Sequence, residues 1–396
     1  MDTTLEVFFS ALPENLSANN ISYKKGQIGQ IVNGYFDEFP VLEEDSKINL
    51  AIVGVEEGRG TPNNHPTGKA PNFVREYLYK LFIGDYNCNI VDLGNIKQGA
   101  TINDTYFAVK TVVEQLVKKD ILPIIIGGGH DLTYAQYLGY EKLEQQVEVA
   151  VIDQKIDLNG EDPEAKDLNS DTFLNHIILN EPDFLFSLSS LAYQTYFVSQ
   201  QTIQMYDKLF FTAQRLGVIS TKIADAEPVL RGADLVSFDM GAIRQSEAPG
   251  NKNAGPNGLY GDQACQLARY AGMSDKCSSI GFYEYNPDSD IQGQTAKLLA
   301  QMIWCFMDGY YNRKNDAPLI PKSSYIIYRT TLENEDYELV FVKSKMSDRW
   351  WMQVPYRGFK SVNERYYLVP CRYEDYLAAL EGEMPDVWWK THQKLV

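Results

Sequence analysis

The 396-residue sequence has no apolar run long enough to cross a bilayer as a helix. Its strongest stretch, "ILPIII" (121–126), is far short of the ~20 residues such a span needs. Basic blocks are also missing: 36 lysines and arginines face 53 aspartates and glutamates, a net charge of −17 that would repel a phosphate backbone and argues against nucleic acid as a partner. The five cysteines (Cys88, Cys265, Cys277, Cys305 and Cys371) are odd in number and include no CxxC pair. Reduced thiols in a cytoplasmic protein, used as small buried hydrophobes, are therefore expected. Asp2 and Glu6 surround the short stretch "VFFSAL" with neither a basic n-region nor a long h-region, so no signal peptide is expected. Only four histidines occur (His65, His130, His176 and His392), which limits what any metal site could use.

What is present is an alternation of short β-branched runs with helical patterns. "INLAIVGV" (48–55), "NFVREYLYKLF" (72–82) and "NIVDLG" (89–94) read as strand, helix, strand. A helix capped at Asn103 places Val109, Val112, Val113 and Leu116 on one side before "ILPIIIGGGHD" returns to a strand. Further strands are expected at 147–153, 184–190, 233–239 and 278–283. Near-continuous apolar strands imply a parallel sheet covered on both faces: a three-layer, doubly wound α/β fold. Residues 1–47 form a weakly patterned N-terminal extension, and 48–316 carry the βα rhythm. Residues 317–396 form an α+β appendage with four of the five tryptophans, short strands and a final helix near "YEDYLAALEG". Its aromatics suit packing against the main domain more than a partner surface.

Ligands of such sheets bind beyond the carboxyl ends of the strands, where His130, Asp153, Asp239 and Glu284 fall. The glycine-rich turn "GGGHD" (127–131) is a weak signal alone, compatible with an anion cradle, a metal site or a structural histidine. Its ordered company is stronger: "DQKID" (153–157), "SFDMG" (237–241) and "YEYNPDSDIQGQTA" (283–296), with "GKAPNFVREYL" earlier and "PNGLYGDQACQLA" (256–268) between.

Together these motifs resemble the ureohydrolase superfamily of arginases, agmatinases and formimidoylglutamases over roughly residues 48–312. The resemblance implies an arginase-like fold, a small amidine or guanidino substrate, C–N bond hydrolysis at two hydroxide-bridged manganese ions and a homo-oligomer. Matched position by position, His130, Asp153, Asp157 and Asp239 stand where the family has the ligands of one metal. The second metal shares two of these positions and needs a histidine and an aspartate of its own, where this chain has Lys155 and Gly241. Glu284 stands where the family holds the substrate's planar cation, and Asn159 where some members contact its carboxylate. His176 matches no family position cleanly and is assigned no role.

Lys155 and Glu284 are thus the candidate catalytic groups, with Asn159 and Glu284 the candidate substrate contacts. One expectation is that the Lys155 ammonium replaces the lost cation, within about 4 Å of Asp153 or Asp239. Three aspartates and one lysine leave a formal charge of −2, which one divalent ion, manganese by resemblance, would neutralise. A metal-free salt-bridged cluster is the competing reading. Functionally, a non-classical or non-catalytic family member stands beside an active one-metal hydrolase of linear amidines. Schiff-base chemistry at Lys155 would require a depressed lysine pKa, and neighbouring carboxylates push the other way.

Overall fold

A computed structural model describes residues 5–42, 47–143, 145–160, 167–317, 324–332, 338–356 and 366–396. Asp2 of the N-terminal reading lies outside the described residues. The β-branched runs form β3 (Leu50–Val55), β4 (Ile90–Ile96), β5 (Leu122–Ile126), β6 (Val147–Ile152), β7 (Leu185–Tyr193), β8 (Thr212–Arg215), β9 (Leu235–Asp239) and β10 (Ser279–Tyr283). They pair in the order β4-β3-β5-β10-β9-β6-β7-β8, and every pairing in this series is parallel. Two short strands from the N-terminal segment, β1 (Phe9–Ser10) and β2 (Asn33–Gly34), join β4 antiparallel and parallel respectively.

Alternate residues of one strand feed different cores, which makes the fold three-layered. Leu50, Ile52, Ile124 and Ile126 pack into one apolar cluster, whereas Ala51, Val53, Val55 and Ile125 pack into the other. The helix Ile102–Lys118 buries Val109, Val112, Val113 and Leu116 as the spacing predicts, but Thr101 caps it rather than Asn103. Thr101 and Asp104 make a reciprocal capping box that satisfies two otherwise unpaired amides, a pairing Asn103 cannot make. The expected helix at 72–82 runs over Ala70–Leu78, with Pro71 in its first turn.

The appendage contributes an antiparallel meander of β11 (Tyr325–Thr331), β12 (Glu338–Ser344), β13 (Trp350–Pro355) and β14 (Tyr366–Cys371). Two helices follow, Tyr373–Leu380 and Asp386–Leu395; the second was not anticipated. Trp350 packs with Tyr328 and Tyr376, and the Trp388 indole N–H donates to the Gln353 carbonyl (3.0 Å). Docking centres on Arg231 of the main sheet's helical layer. Its guanidinium donates to the Trp350 and Cys371 carbonyls and lies 4.5 Å from the centre of the Trp351 ring. Of these tryptophans only Trp389 is exposed. Among the described residues no helix is long and apolar enough to cross a membrane. The cysteines divide: Cys277 and Cys371 are buried, but Cys88, Cys265 and Cys305 are only half-buried, so the small-hydrophobe reading fails for three of them.

Lys394, on the last helix, donates to the Ser187 hydroxyl (2.6 Å) and packs beside Phe186 and Phe211. Burial pulls its pKa down to about 8. A lysine whose folded pKa lies below its unfolded value costs stability when charged in both states, below about pH 8, and the cost disappears as pH rises past its unfolded value near 10.4. Lys394→Met is therefore expected to raise stability by about 1–2 kcal/mol at pH 7 and by little at pH 10. Denaturant melts at the two pH values check this, and an equal effect at both would contradict it.

Candidate metal centre

Strands β5, β10, β9 and β6 are consecutive neighbours at the middle of the sheet, where the chain order reverses. His130 follows β5 through a turn in which Gly127 and Gly128 have φ of 88° and 80°. A Cβ on Gly128 would lie 2.7 Å from the Glu57 carbonyl oxygen, and with its left-handed φ this position favours glycine. Asp153 follows β6, Asp239 ends β9 and Glu284 follows β10. The structure thereby brings these four to one rim, and Asp157 joins them from the loop after β6.

The His130 ring is fully buried. Its Nε2 lies 2.9 Å from the Ser237 hydroxyl, which also bonds Thr133. With Nε2–H donating to Ser237, the Nδ1 lone pair faces Asp157 Oδ2 at 3.1 Å, Asp239 Oδ2 at 3.4 Å and Asp153 Oδ2 at 3.8 Å. Burial raises the pKa of Asp153, Asp157 and Asp239 well above the usual carboxylate range, and the neighbouring aspartates add to the rise of each. Glu284 has a left-handed backbone (φ 66°), a conformation that costs energy in a non-glycine residue and clusters at functional sites. Its Oε1 accepts the His130 backbone N–H (3.0 Å) and its Oε2 the Asn64 side-chain N–H (2.7 Å). Burial raises the Glu284 pKa against the pull of these donors.

The donor set fits one divalent ion. One atom each from His130, Asp153 and Asp157 lie within 4.8 Å of one another, and Asp153 Oδ1 is buried with no hydrogen-bond partner. One imidazole among carboxylates suits manganese, which prefers oxygen donors. The pocket bounded by Asp153, Asp157, Asp239 and Glu284 has room for about one water-sized sphere.

Lys155 does not stand where a second cation would. Its ammonium pairs with Asp171 Oδ1 at 3.0 Å, and among the described residues it makes no ion pair with Asp153 or Asp239. The expectation of a contact within about 4 Å is corrected. Asp171 offers a half-solvated carboxylate at the pocket mouth, where an ammonium surrenders less hydration than it would inside the buried cluster. Burial disfavours the Lys155 charge, yet Asp171 and Asp157 outweigh it and hold the pKa above the ordinary lysine value. Schiff-base chemistry gains nothing here.

Gly241 is buried beside Asp239, whose Oδ1 accepts the Gly241 N–H (2.5 Å) and the Asn251 side-chain N–H (3.4 Å). Asn159 lies outside the cluster, in an adjoining groove of about 240 Å³ that Lys155 and Asp171 separate from the inner pocket. His176 stacks near Tyr134, away from the cluster. Sequence reasoning missed Asp171, Asn64, Asn251 and Ser237. Of these only Ser237 carried a signal, since it lies two residues before Asp239 and therefore on the same strand face.

The model of the arginase family matches residues 48–308. A formimidoylglutamase of Staphylococcus haemolyticus is 25% identical over 277 residues, 66% of this chain and 86% of the relative. One from Staphylococcus aureus is 27% identical over 285 residues, 69% of this chain and 90% of the relative. Among solved structures, formimidoylglutamase of Bacillus subtilis superposes with a TM-score of 0.64 at 19% identity, over 73% of this chain and 92% of that one. A formiminoglutamase of Trypanosoma cruzi solved with manganese gives 0.62 at 19% identity, over 70% of this chain and 100% of that one.

Proposed function

Because this chain belongs to the arginase family, we propose that it holds a single divalent cation at His130, Asp153, Asp157 and Asp239 and binds a small linear amidine or guanidino molecule beside it, without two-metal hydrolysis. The asymmetry of the donors carries this reading. His130, Asp153 and Asp157 are gathered and buried with Asp239 Oδ2 3.4 Å from His130 Nδ1, whereas at the positions private to the other metal Lys155 is tied to Asp171 and Gly241 has no side chain. Formimidoylglutamase relatives favour an amidine over other planar cations.

A bound divalent ion would supply Lewis acidity and make nearby water more acidic. The chain's own residues do the rest. Ser237 holds the His130 ring through its Nε2, and the buried Glu284 carboxylate is already placed by Asn64 and the His130 amide to face the N–H groups of an amidinium. Asn159 lines the groove where the far end of such a ligand would lie. The Lys155–Asp171 pair at the mouth narrows access to the cluster.

An active one-metal hydrolase of linear amidines is the second reading, favoured by the strained, oriented Glu284. Metal analysis after saturation with manganese and removal of excess is expected to give one ion per chain. The melting temperature should rise with manganese, by the equivalent of about 2.7 kcal/mol at one hundred times the dissociation constant. Two ions per chain would overturn the single-site reading. Formamide release from formimidoylglutamate at ~10 per second, the usual enzyme range, would select the second reading over the first.

A further inference from the structure

A covered face of a parallel sheet is ordinarily apolar, but the sheet face beneath the appendage is polar. Ser187 and Ser189 alternate along β7 and so share one face, and Thr212 of β8 stands opposite Ser189 in the strand register. Across from these hydroxyls, helix Asp386–Leu395 carries Lys390 and Lys394, four residues apart and therefore on one side. Together they line a cavity of about 360 Å³ between the main sheet and the appendage, within the size range of small-molecule sites. Val229, Val369, Pro370 and Val387 give it an apolar wall.

Of the three cations that line the cavity, two have carboxylate partners. Arg372 pairs with Asp225 (2.8 Å) and Asp375 (3.2 Å), and Lys390 pairs with Asp386 (3.6 Å). Lys394 makes no ion pair among the described residues; its ammonium meets the Ser187 hydroxyl and the rings of Phe186 and Phe211. Glu148 acts on it from a distance, and that carboxylate is itself held by Lys276 (2.7 Å) and the Tyr367 hydroxyl. An ammonium in this setting is the destabilising charge that Lys394→Met is expected to relieve. A carboxylate seated beside it would relieve the same cost and keep the lysine.

We propose that this cavity binds a small monocarboxylate with an apolar body, its carboxylate on the Lys394 ammonium and the Ser189 and Thr212 hydroxyls and its body against the Val229 and Pro370 wall. A dianion such as phosphate suits the cavity less. One ammonium balances one negative charge, and Glu148, Asp225, Asp375 and Asp386 line the same space and repel a second. The inference does not rest on the proposed function. Glu148 lies near the start of β6 and Asp153 beyond its end, so this cavity and the metal cluster sit at opposite ends of one strand and share no lining residue.

The test treats the full chain at neutral pH with trace acetic anhydride and quantifies acetylation of each lysine by mass spectrometry, with and without phenylacetate or isocaproate. Lys394, whose pKa of about 8 leaves more free amine than an ordinary lysine, should label readily in the absence of either probe. A probe at ten times its dissociation constant is expected to slow Lys394 acetylation about tenfold and to leave the exposed lysines unchanged. Phenylacetamide, with the same shape and no charge, should bind roughly tenfold or more weakly than phenylacetate. Both carboxylates should raise the melting temperature of wild type but not of Lys394→Met, nor of Ser189→Leu, which keeps the lysine and projects a larger side chain into the cavity. Lys394 acetylation unchanged by both carboxylates, or slowed equally by phenylacetamide, would overturn the proposal. A melting rise that survives in Lys394→Met would place the binding elsewhere and overturn it as well, and protection by inorganic phosphate stronger than by either carboxylate would overturn the ligand class.

Discussion

Arg75→Met is expected to lower folding stability by about 3–5 kcal/mol, because it strands a buried carboxylate. Arg75 and Asp92 are both fully buried and face each other through two hydrogen bonds, 2.7 and 2.8 Å. The guanidinium also reaches the Asn95 side chain, the Asn72 side chain and the Gly94 carbonyl (2.9 Å), so it fastens helix Ala70–Leu78 to β4. Methionine fills much of the volume but returns none of these bonds. Among the described residues Asp92 would then keep only the Tyr79 hydroxyl and the Gly94 amide as donors. Adding Asp92→Asn removes the buried charge while retaining an acceptor, so the double variant should recover at least ~1 kcal/mol relative to additivity. The effect should extend to the site, since Ala70 and Pro71 back the Cβ position of Gly127 and thus brace the turn that carries His130. Denaturant melts measure the first effect, and amide exchange across 128–131 measures the second. A loss below about 1 kcal/mol would mean that the network is not a principal tie in the fold.

The strands and the rim were legible because both depend on local pattern. A run such as "LAIVGV" is apolar on both faces, and a parallel sheet is the ordinary way to bury both. Once β5, β6, β9 and β10 are strands, His130, Asp153, Asp239 and Glu284 must sit at their carboxyl ends. The direction of Lys155 was not legible. Its position beside two aspartates suggested an inward ammonium, but the partner is Asp171, sixteen residues on and brought back by a loop with no periodic signal. Asn64 and Asn251 were hidden for the same reason: each acts from an irregular segment whose fold is set by the groups it meets. Helix Asp386–Leu395 was missed because its adjacent tryptophans read as an aromatic patch, although Trp388 faces inward and Trp389 outward as neighbours on a helix do.

Gly241→Asp is expected to cost about 3–5 kcal/mol in the absence of metal, and to become tolerable only when a cation is supplied. A Cβ at this position would lie 3.0 Å from Asp239 Oδ1, 3.1 Å from Gln154 Nε2 and 3.3 Å from Asn251 Nδ2. The new carboxylate would therefore enter a buried space beside Asp239, whose proton affinity burial and Asp153 already raise. Combining it with Lys155→His restores both ligand types that the family resemblance assigns to the second metal. The lysine itself should be cheap to lose. Its ammonium is about one-third exposed and its partner Asp171 about one-half, so Lys155→Ala should change stability by no more than about 1 kcal/mol. The double variant should then melt below wild type without manganese and show a larger rise with it, by the equivalent of about 2.7 kcal/mol more when the added site is held at one hundred times its dissociation constant. Metal content should move from one ion per chain to two. A double variant whose melting responds to manganese no more than wild type would mean that Lys155 and Gly241 are not what removed the second site.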